Sequence, residues 1–307
     1  MTSSGKNVVA SVLARLRNQA QAQSVPFNQI LQFYAMERFL YRLSKSAHVD
    51  GVLLKGALLL RQAGIPRARP TMDIDLLRLG KADRDSLIAL VRECLLIDGA
   101  ADGVQFDLNS IAAQDIAKDS DYQGIRVRFT GRMDNVRLNL QIDFGAGDAV
   151  SPGPRIIEYP ALLNQPGPKI RAYPIEAVIA EKFQAMVELD LANSRVKDFY
   201  DIWVYSRNVD FDGEILARSL AATFTRRQTQ LPTELPTGLT SLYVDADIHR
   251  RQWRTFVQRI GEAALSGRFA EVIDDISRFV MPPAISAARH KSFRSHWHPP
   301  GPWAIAE

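Results

Sequence analysis

Two aspartates, Asp73 and Asp75, stand two residues apart in the segment RPTMDIDLLR. In an extended strand, residues with this spacing point to the same face of the sheet. Two carboxylates so close together repel each other, and they resist burial unless a positive charge lies between them. The pattern is compatible with a solvated edge strand or a turn, and also with a site for divalent metal ions.

A third aspartate, Asp143, stands near the end of the alternating segment LNLQIDFGAG. Alternation turns the apolar side chains of this segment toward a core and leaves Asp143 on the opposite face. If the two segments form neighbouring strands, three carboxylates converge, and oxygen ligands of this kind suit Mg²⁺ or Mn²⁺ together with a substrate phosphate. A pair of such ions would activate an attacking oxygen and neutralise charge on a transferring phosphoryl group.

Upstream, the segment LLKGALLL places Gly56 where an apolar strand gives way to a helix. Backbone N–H groups at such a turn can hold phosphates at a helix N-terminus. A lone glycine is weak evidence, but the order of glycine turn, helix, Asp-x-Asp and strand aspartate points to phosphoryl transfer. The chain contains neither a P-loop motif nor a Rossmann glycine motif, which argues against those two nucleotide sites.

The elements that must position these residues predict an α+β fold with two lobes. Strands and helices alternate in the first part of the chain, which indicates a mixed sheet flanked by helices. Patterns with apolar residues three and four apart dominate the second part, and scattered Pro, Ser, His and Arg mark the end. We therefore predict a lobe with N-terminal helices and a mixed sheet at residues 1–170, a helical lobe at 171–281 and an irregular tail at 282–307.

Net charge, cysteine content and the length of the apolar runs limit the kinds of partner and the cellular location that we expect. The 307 residues carry a formal net charge of +4, which permits an anionic partner without requiring one. The single cysteine, Cys94, lies among apolar residues and reads as an inert core residue. No apolar run is long enough to cross a membrane, and the first residues lack the apolar stretch of a signal peptide, so we expect a cytoplasmic protein without a membrane partner.

Taken in order, these motifs resemble the AbiEii/AbiGii (MenT-like) toxin family, within the polymerase-β-type nucleotidyltransferase superfamily. The resemblance extends over roughly residues 50–260 and rests on six segments: LLKGALLL, RARPTMDIDL, QIDF, the pair Glu181-Lys182, RVKDFYDIW and RRQWRTFVQR. The chain departs from the family at Ala57 and Leu58, where members carry a second small residue and then a hydroxyl. The loss of this hydroxyl removes one contact to a phosphate.

The resemblance implies a metal-dependent nucleotidyltransferase that transfers a nucleotide from an NTP to an acceptor hydroxyl, with the 3′ end of tRNA as the expected acceptor. It also implies that the chain is the toxin of a toxin–antitoxin, abortive-infection type system, with a cognate antitoxin as partner. Transfer to a small molecule or a protein, or a catalytically silent relative that acts by binding, stays open as an alternative.

The resemblance assigns roles to particular residues. The metal ligands would be Asp73, Asp75 and Asp143, with Lys182 and Asp198 completing the catalytic set. The nucleotide would contact Lys55, Gly56, Ala57, Arg69, Lys182 and Asp201.

Each assignment has a structural alternative. A lysine in the middle of a helix, such as Lys182, is ordinarily a solvated residue. The acids Asp198 and Asp201 share a helix face, where they could form surface pairs with neighbouring cations, and such pairs contribute little.

A basic helix supplies a candidate nucleic-acid surface. Three of its arginines, Arg250, Arg251 and Arg254, are interleaved with aromatic residues and have no acid among them. An amphipathic helix with a merely solvated charged face explains the pattern, but a positive stripe is also what phosphate backbones neutralise. We assign these arginines to RNA contact as a prediction.

Overall fold

The computed structural model describes residues 3–65, 68–99, 101–118 and 122–305. The chain forms two compact units, each assembled from separate stretches of sequence. The first unit comprises the described residues of Met1–Gln62, Pro70–Gly147 and Arg155–Ala172. The second comprises those of Ala63–Arg69, Asp148–Pro154 and Tyr173–Glu307.

The first unit is built on a seven-stranded mixed sheet. Its helices are α1 (Ser3–Ala22), α2 (Phe27–Lys45), α3 (Leu58–Gln62) and α4 (Arg84–Leu96). Its strands are β1 (Val52–Lys55), β2 (Asp73–Arg78), β3 (Gln105–Lys118), β4 (Tyr122–Met133), β5 (Val136–Ala146), β6 (Arg155–Glu158) and β7 (Lys169–Ala172). The strand order is β3-β4-β5-β2-β1-β7-β6. A mixed sheet flanked by helices is the fold class that the sequence predicted.

The centre of this sheet brings together strands that are distant in sequence. β1 pairs with β2 in the antiparallel direction, whereas β2 pairs with β5 in the parallel direction. β4 and β5 form an antiparallel hairpin that turns at Asp134 and Asn135. The short strands β6 and β7 complete the sheet on the far side of β1.

One face of the sheet forms the core of the first unit. Phe129 on β4 packs against Phe39 on α2 and Phe106 on β3. Helix α4 contributes Cys94, which is fully buried, and burial raises the pKa of its thiol to about 11. The cysteine is therefore an inert core residue, as predicted. Because side chains alternate along a strand, the opposite face of β4 and β5 receives their polar residues.

The second unit is mainly helical. Its helices are α5 (Ile175–Leu189), α6 (Val196–Asn208), α7 (Gly213–Arg226), α8 (Ser241–Asp245), α9 (Asp247–Arg259) and α10 (Phe269–Ala288). Three very short strands, β8 (Phe211–Asp212), β9 (Ser295–Trp297) and β10 (Trp303–Ile305), form a small sheet in the order β10-β9-β8. The lobe boundary predicted near residue 170 stays a prediction.

The prediction of an irregular tail at 282–307 is wrong. Helix α10 continues through Pro282 and Pro283, and two strands follow it. A proline inside a helix leaves the carbonyl four residues earlier without its usual donor, which is why the pair predicted a helix end. Here the indole Nε1 of Trp303 donates to the carbonyl of Phe279 at 2.9 Å, the oxygen that Pro283 cannot reach. The tail thus supplies the missing hydrogen bond.

Candidate active site

The three aspartates of the first unit lie on one face of the central sheet. In the parallel pairing of β2 with β5, Asp75 is the direct neighbour of Asp143, and Asp73 is the neighbour of Gln141. Neighbouring residues at the same register point to the same face, and adjacent strands are about 4.8 Å apart. The structure therefore brings together the two acidic segments as the sequence predicted.

Gly56 is fitted to the carboxylate of Asp75. Its φ angle is +74°, in the left-handed region that favours glycine. A Cβ atom built on Gly56 would lie 2.0 Å from Oδ2 of Asp75, so no larger residue fits without displacing that carboxylate. The backbone of the turn after β1 thus passes directly over one of the acids. Lys55, the last residue of β1, pairs in register with Asp75.

Ala57 contributes to this turn through its backbone. The residue as a whole is only 6% exposed and belongs to the core. Ala57 therefore offers little surface of its own to a nucleotide.

Two side chains on the same face hold the acids in place. Arg126 on β4 is the register partner of Asp143, and its Nε and Nη2 atoms donate to the two carboxylate oxygens at 2.8 Å each. Donating hydrogen bonds to Asp143 raises the pKa of Arg126, while partial burial opposes the shift. Gln141 donates from Nε2 to Oδ1 of Asp73 at 2.8 Å.

The sequence motifs did not single out Arg126. The alternation of GIRVRF puts Arg126 and Arg128 on the polar face of their strand, which was the available signal. Alternation alone does not give the register of β4 against β5, and it is this register that places Arg126 beside Asp143.

The chemistry of Asp73, Asp75 and Asp143 suits a hard divalent cation, but the three carboxylates are not all arranged to bind one. Carboxylate oxygens are the ligands that such ions prefer, and Asp73 and Asp75 present them from one face. Both oxygens of Asp143, however, accept hydrogen bonds from Arg126. Among the residues that the structure describes, no group of three or more His, Cys, Asp or Glu side chains is arranged to hold a metal ion. A metal ion would therefore have to share the carboxylate of Asp143 with Arg126 or displace it.

The second unit contains its own cluster of predicted site residues. Lys182 on α5 donates to Asp198, and its Nζ lies 2.9 Å from Oδ2 of Asp201, both on α6. Arg69 holds Asp201 with two hydrogen bonds, from Nε at 2.6 Å and from Nη2 at 2.8 Å. The acids Asp198 and Asp201 are 5% and 1% exposed, so they are not the solvated surface pair that the alternative reading expected.

Charge pairing governs ionisation in this cluster. Burial by itself raises the pKa of Asp201, but the positive charges of Arg69 and Lys182 outweigh it and lower the pKa to about 2. Burial likewise acts to lower the pKa of Lys182, and the attraction of Asp198 and Asp201 reverses the sign and raises it. Asp201 and Lys182 are therefore both charged at neutral pH, in a cluster of two cationic and two acidic side chains.

The predicted RNA-contact arginines lie on α9, exposed and beside acids that the sequence analysis did not count. Arg250, Arg251 and Arg254 line a groove of about 590 Å³, which Asp245 and Asp247 also line. Nη2 of Arg250 forms an ion pair with Oδ1 of Asp247 at 2.8 Å. The positive stripe is thus partly neutralised within its own helix.

The geometry as a whole defines the class of protein. A mixed sheet flanked by helices, with carboxylates on neighbouring strands beside a glycine turn, is the architecture expected of a nucleotidyltransferase. The chain belongs to the family described as "Nucleotidyl transferase AbiEii toxin, Type IV TA system", whose sequence model matches residues 38–288. The resemblance that the motifs indicated is thereby confirmed.

Solved structures from Helicobacter pylori are also similar to the chain. One, provisionally described as a nucleotidyltransferase, is 14% identical, covers 87% of this chain and 97% of its own, and has a TM-score of 0.46. Another, JHP933, is 14% identical, covers 86% of this chain and 93% of its own, and has a TM-score of 0.45. No curated protein sequence matches the chain.

Family membership makes the chain a nucleotidyltransferase of a type IV toxin–antitoxin family. Its family implies an NTP substrate, a divalent metal and an antitoxin partner. In the described part of the chain, no helix has the length and apolarity needed to cross a membrane.

Proposed function

We propose that this nucleotidyltransferase moves a nucleotide from an NTP to the 3′ hydroxyl of a tRNA, and that it acts with Mg²⁺ as the cytoplasmic toxin of its pair. The observation that carries the proposal is the placement of Asp73, Asp75 and Asp143 on one sheet face, with Gly56 against Asp75. Acids grouped in this way suit phosphoryl transfer, where positioning and charge neutralisation supply most of the rate.

The three aspartates have different roles in the proposed reaction. Asp73 and Asp75 would hold Mg²⁺, whose charge would offset that of the reacting phosphate groups. Gln141 orients Asp73 through its hydrogen bond, and the turn at Gly56 limits where the carboxylate of Asp75 can lie. This set therefore needs little rearrangement to receive a substrate.

In the transfer step, the acceptor hydroxyl oxygen attacks the α-phosphorus of the NTP. A new P–O bond forms, the bond from that phosphorus to the bridging oxygen of the β-phosphate breaks, and pyrophosphate leaves. The hydroxyl proton passes to Oδ1 or Oδ2 of Asp143, which acts as the general base. Because Arg126 occupies both of these oxygens, Asp143 becomes available when the arginine turns away.

The nucleotide-binding roles of Lys55, Ala57, Lys182 and Arg69, and the roles of Asp198 and Asp201, stay predictions from the resemblance. The cluster in the second unit is electrically balanced, so a phosphate bound there would have to compete with Asp198 or Asp201 for the two cations. Lysine suits such an exchange, since its ammonium group is a compact charge with rotatable donors.

The test is incubation of the purified protein with total tRNA, Mg²⁺ and each α-labelled NTP in turn. Asp73→Asn removes one negative charge from the acid pair, and Asp107→Asn makes the same change at an exposed aspartate on β3. We expect label on tRNA with the natural protein and with Asp107→Asn, and at least about a 100-fold lower rate with Asp73→Asn.

Two results would contradict the proposal. Label on tRNA that survives Asp73→Asn would remove the acid pair from the reaction. Absence of label on tRNA with every NTP, together with labelling of a small hydroxylated molecule or a protein, would move the acceptor to the alternative class.

A further inference from the structure

The polar sheet face that carries Asp143 continues away from the acids along β4 and β5. On β4 the outward residues are Arg126, Arg128, Thr130 and Arg132, and on β5 they are Arg137, Asn139, Gln141 and Asp143. We call Arg128, Arg132 and Arg137 the arginine row. All three members are exposed.

The end of the row farthest from the acids places two arginines side by side, which is unfavourable for the stability of the fold. Arg132 and Arg137 are direct cross-strand partners, and like charges in this position repel. Within the part of the chain that the structure describes, neither has an acidic partner. Arg128 donates only to neutral groups, the side-chain oxygens of Gln141 at 3.1 Å and Gln114 at 2.9 Å. An external anion would relieve this repulsion.

The spacing of the row fits an anion with repeated charges. Alternate residues of a strand are roughly 6.6 Å apart, so the distance from Arg126 to Arg132 is about 20 Å. Across that distance the outward positions of β4 and β5 carry Asp143 as their one acid, and Asp143 is already paired with Arg126. On β3, Asp107 lies opposite Thr130. The row therefore forms an almost unbroken positive track that begins beside the acids.

We propose that the arginine row binds the phosphodiester backbone of a single-stranded RNA end and leads it toward Asp75 and Asp143. This inference rests on the proposed function for its acceptor and adds the surface that holds it. Between Arg126 and Arg132 on β4, and between Arg137 and Asp143 on β5, the outward positions carry no aromatic side chain on which a base could stack. The row therefore holds RNA through its phosphates, with little preference for base sequence.

The surface differs from the one that the sequence predicted. Four arginines lie on helix α9, but Arg250 is paired with Asp247, and Asp245 lines the same groove as Arg250, Arg251 and Arg254. Arg132 and Arg137 have no such competitor among the described residues. The arginine row is thus the stronger candidate for the phosphate backbone.

The experiment measures the affinity of the full-length protein for a fluorescent single-stranded oligouridylate by anisotropy, with EDTA and without NTP. The test variant is Arg132→Ala with Arg137→Ala. The control is Arg15→Ala with Arg92→Ala, which removes two exposed charges from α1 and α4 of the same unit. A third variant replaces Arg250, Arg251 and Arg254 with alanine.

We expect the test variant to bind about tenfold more weakly and the control to stay within about twofold of the natural protein. The slope of log affinity against log salt should fall by about 1.4, since each phosphate contact on a single strand contributes roughly 0.7. Thermal unfolding checks that the variants fold, and NTP affinity in Mg²⁺ should not change.

Equal losses in the test and control variants would overturn the inference, as would loss in the α9 variant alone or no binding by the natural protein. A fall in NTP affinity instead of RNA affinity would make the row a triphosphate site and overturn it too. Because this assay needs no transfer, RNA binding that depends on the row would support the inference even if tRNA labelling fails.

Discussion

Replacement of Gly56 by alanine tests the link between the turn after β1 and the acid pair. The new Cβ would lie 2.0 Å from Oδ2 of Asp75, whereas nonbonded heavy atoms settle at about 3.5 Å. The carboxylate must therefore move by about 1 Å or more. A misplacement of this size costs about 100-fold in rate, so we expect nucleotidyl transfer to fall by about that factor.

The same variant should lose stability in two parts. Alanine in the left-handed region costs about 1 kcal/mol, and the clash with Asp75 adds about 1 to 3 kcal/mol. Gly80 offers a matched control, since its φ is +89° and nothing lies within 4 Å of an added Cβ. Gly80→Ala should show the backbone cost alone and keep its activity. Urea unfolding gives the stabilities, and label transfer to tRNA gives the rates.

A double-mutant cycle sharpens the result. In an Asp75→Gly background the obstructing side chain is gone, so Gly56→Ala should cost no more stability than Gly80→Ala does. If Gly56→Ala keeps full activity, or if the two glycine variants behave alike in every assay, the argument that Gly56 positions Asp75 is refuted.

Two further predictions concern the second unit. In the folded protein the pKa of Asp201 is lowered from 3.8 to about 2. Its ionised carboxylate therefore adds about 2 kcal/mol to the free energy of unfolding above pH 4, and this contribution is lost as the pH falls toward 2. Asp201→Asn should remove this part of the acid dependence and, because it leaves Arg69 and Lys182 under-compensated, cost about 3 kcal/mol at pH 7. Trp303→Phe should cost about 1 to 3 kcal/mol, because it leaves a helical carbonyl without its donor.

Denaturant unfolding measures both effects. For Asp201, the natural protein and the variant are compared from pH 2 to pH 7, and parallel curves would contradict the assigned pKa. For Trp303, Pro283→Ala restores a backbone N–H that can reach the same carbonyl. The double variant should therefore recover part of the loss, and strict additivity of the two changes would contradict the capping role.

Local patterns were sufficient for much of the fold and for part of the site. The spacing of Asp73 and Asp75 predicted one shared face, and the alternation before Asp143 predicted that it points away from the core. Both follow from strand geometry, which depends only on neighbouring residues. The break at Gly56 followed in the same way from the apolar pattern on either side of it.

The tail shows where local patterns mislead. Pro282 and Pro283 predict a helix end because a proline removes a donor, and the rule is correct for an isolated helix. The donor that replaces it belongs to Trp303, which is twenty residues away from Pro283. No local signal connects an indole N–H with one particular carbonyl.

The order of the residues was enough to show which side chains share a strand face and to which family the motifs belong. It could not show that Arg126 holds Asp143, that Arg69 pairs with Asp201 across 132 positions of chain, or that Arg132 lies opposite Arg137. The reason is physical. Periodicity is a property of the local backbone, whereas the register and pairing of distant segments are set by how their side chains pack.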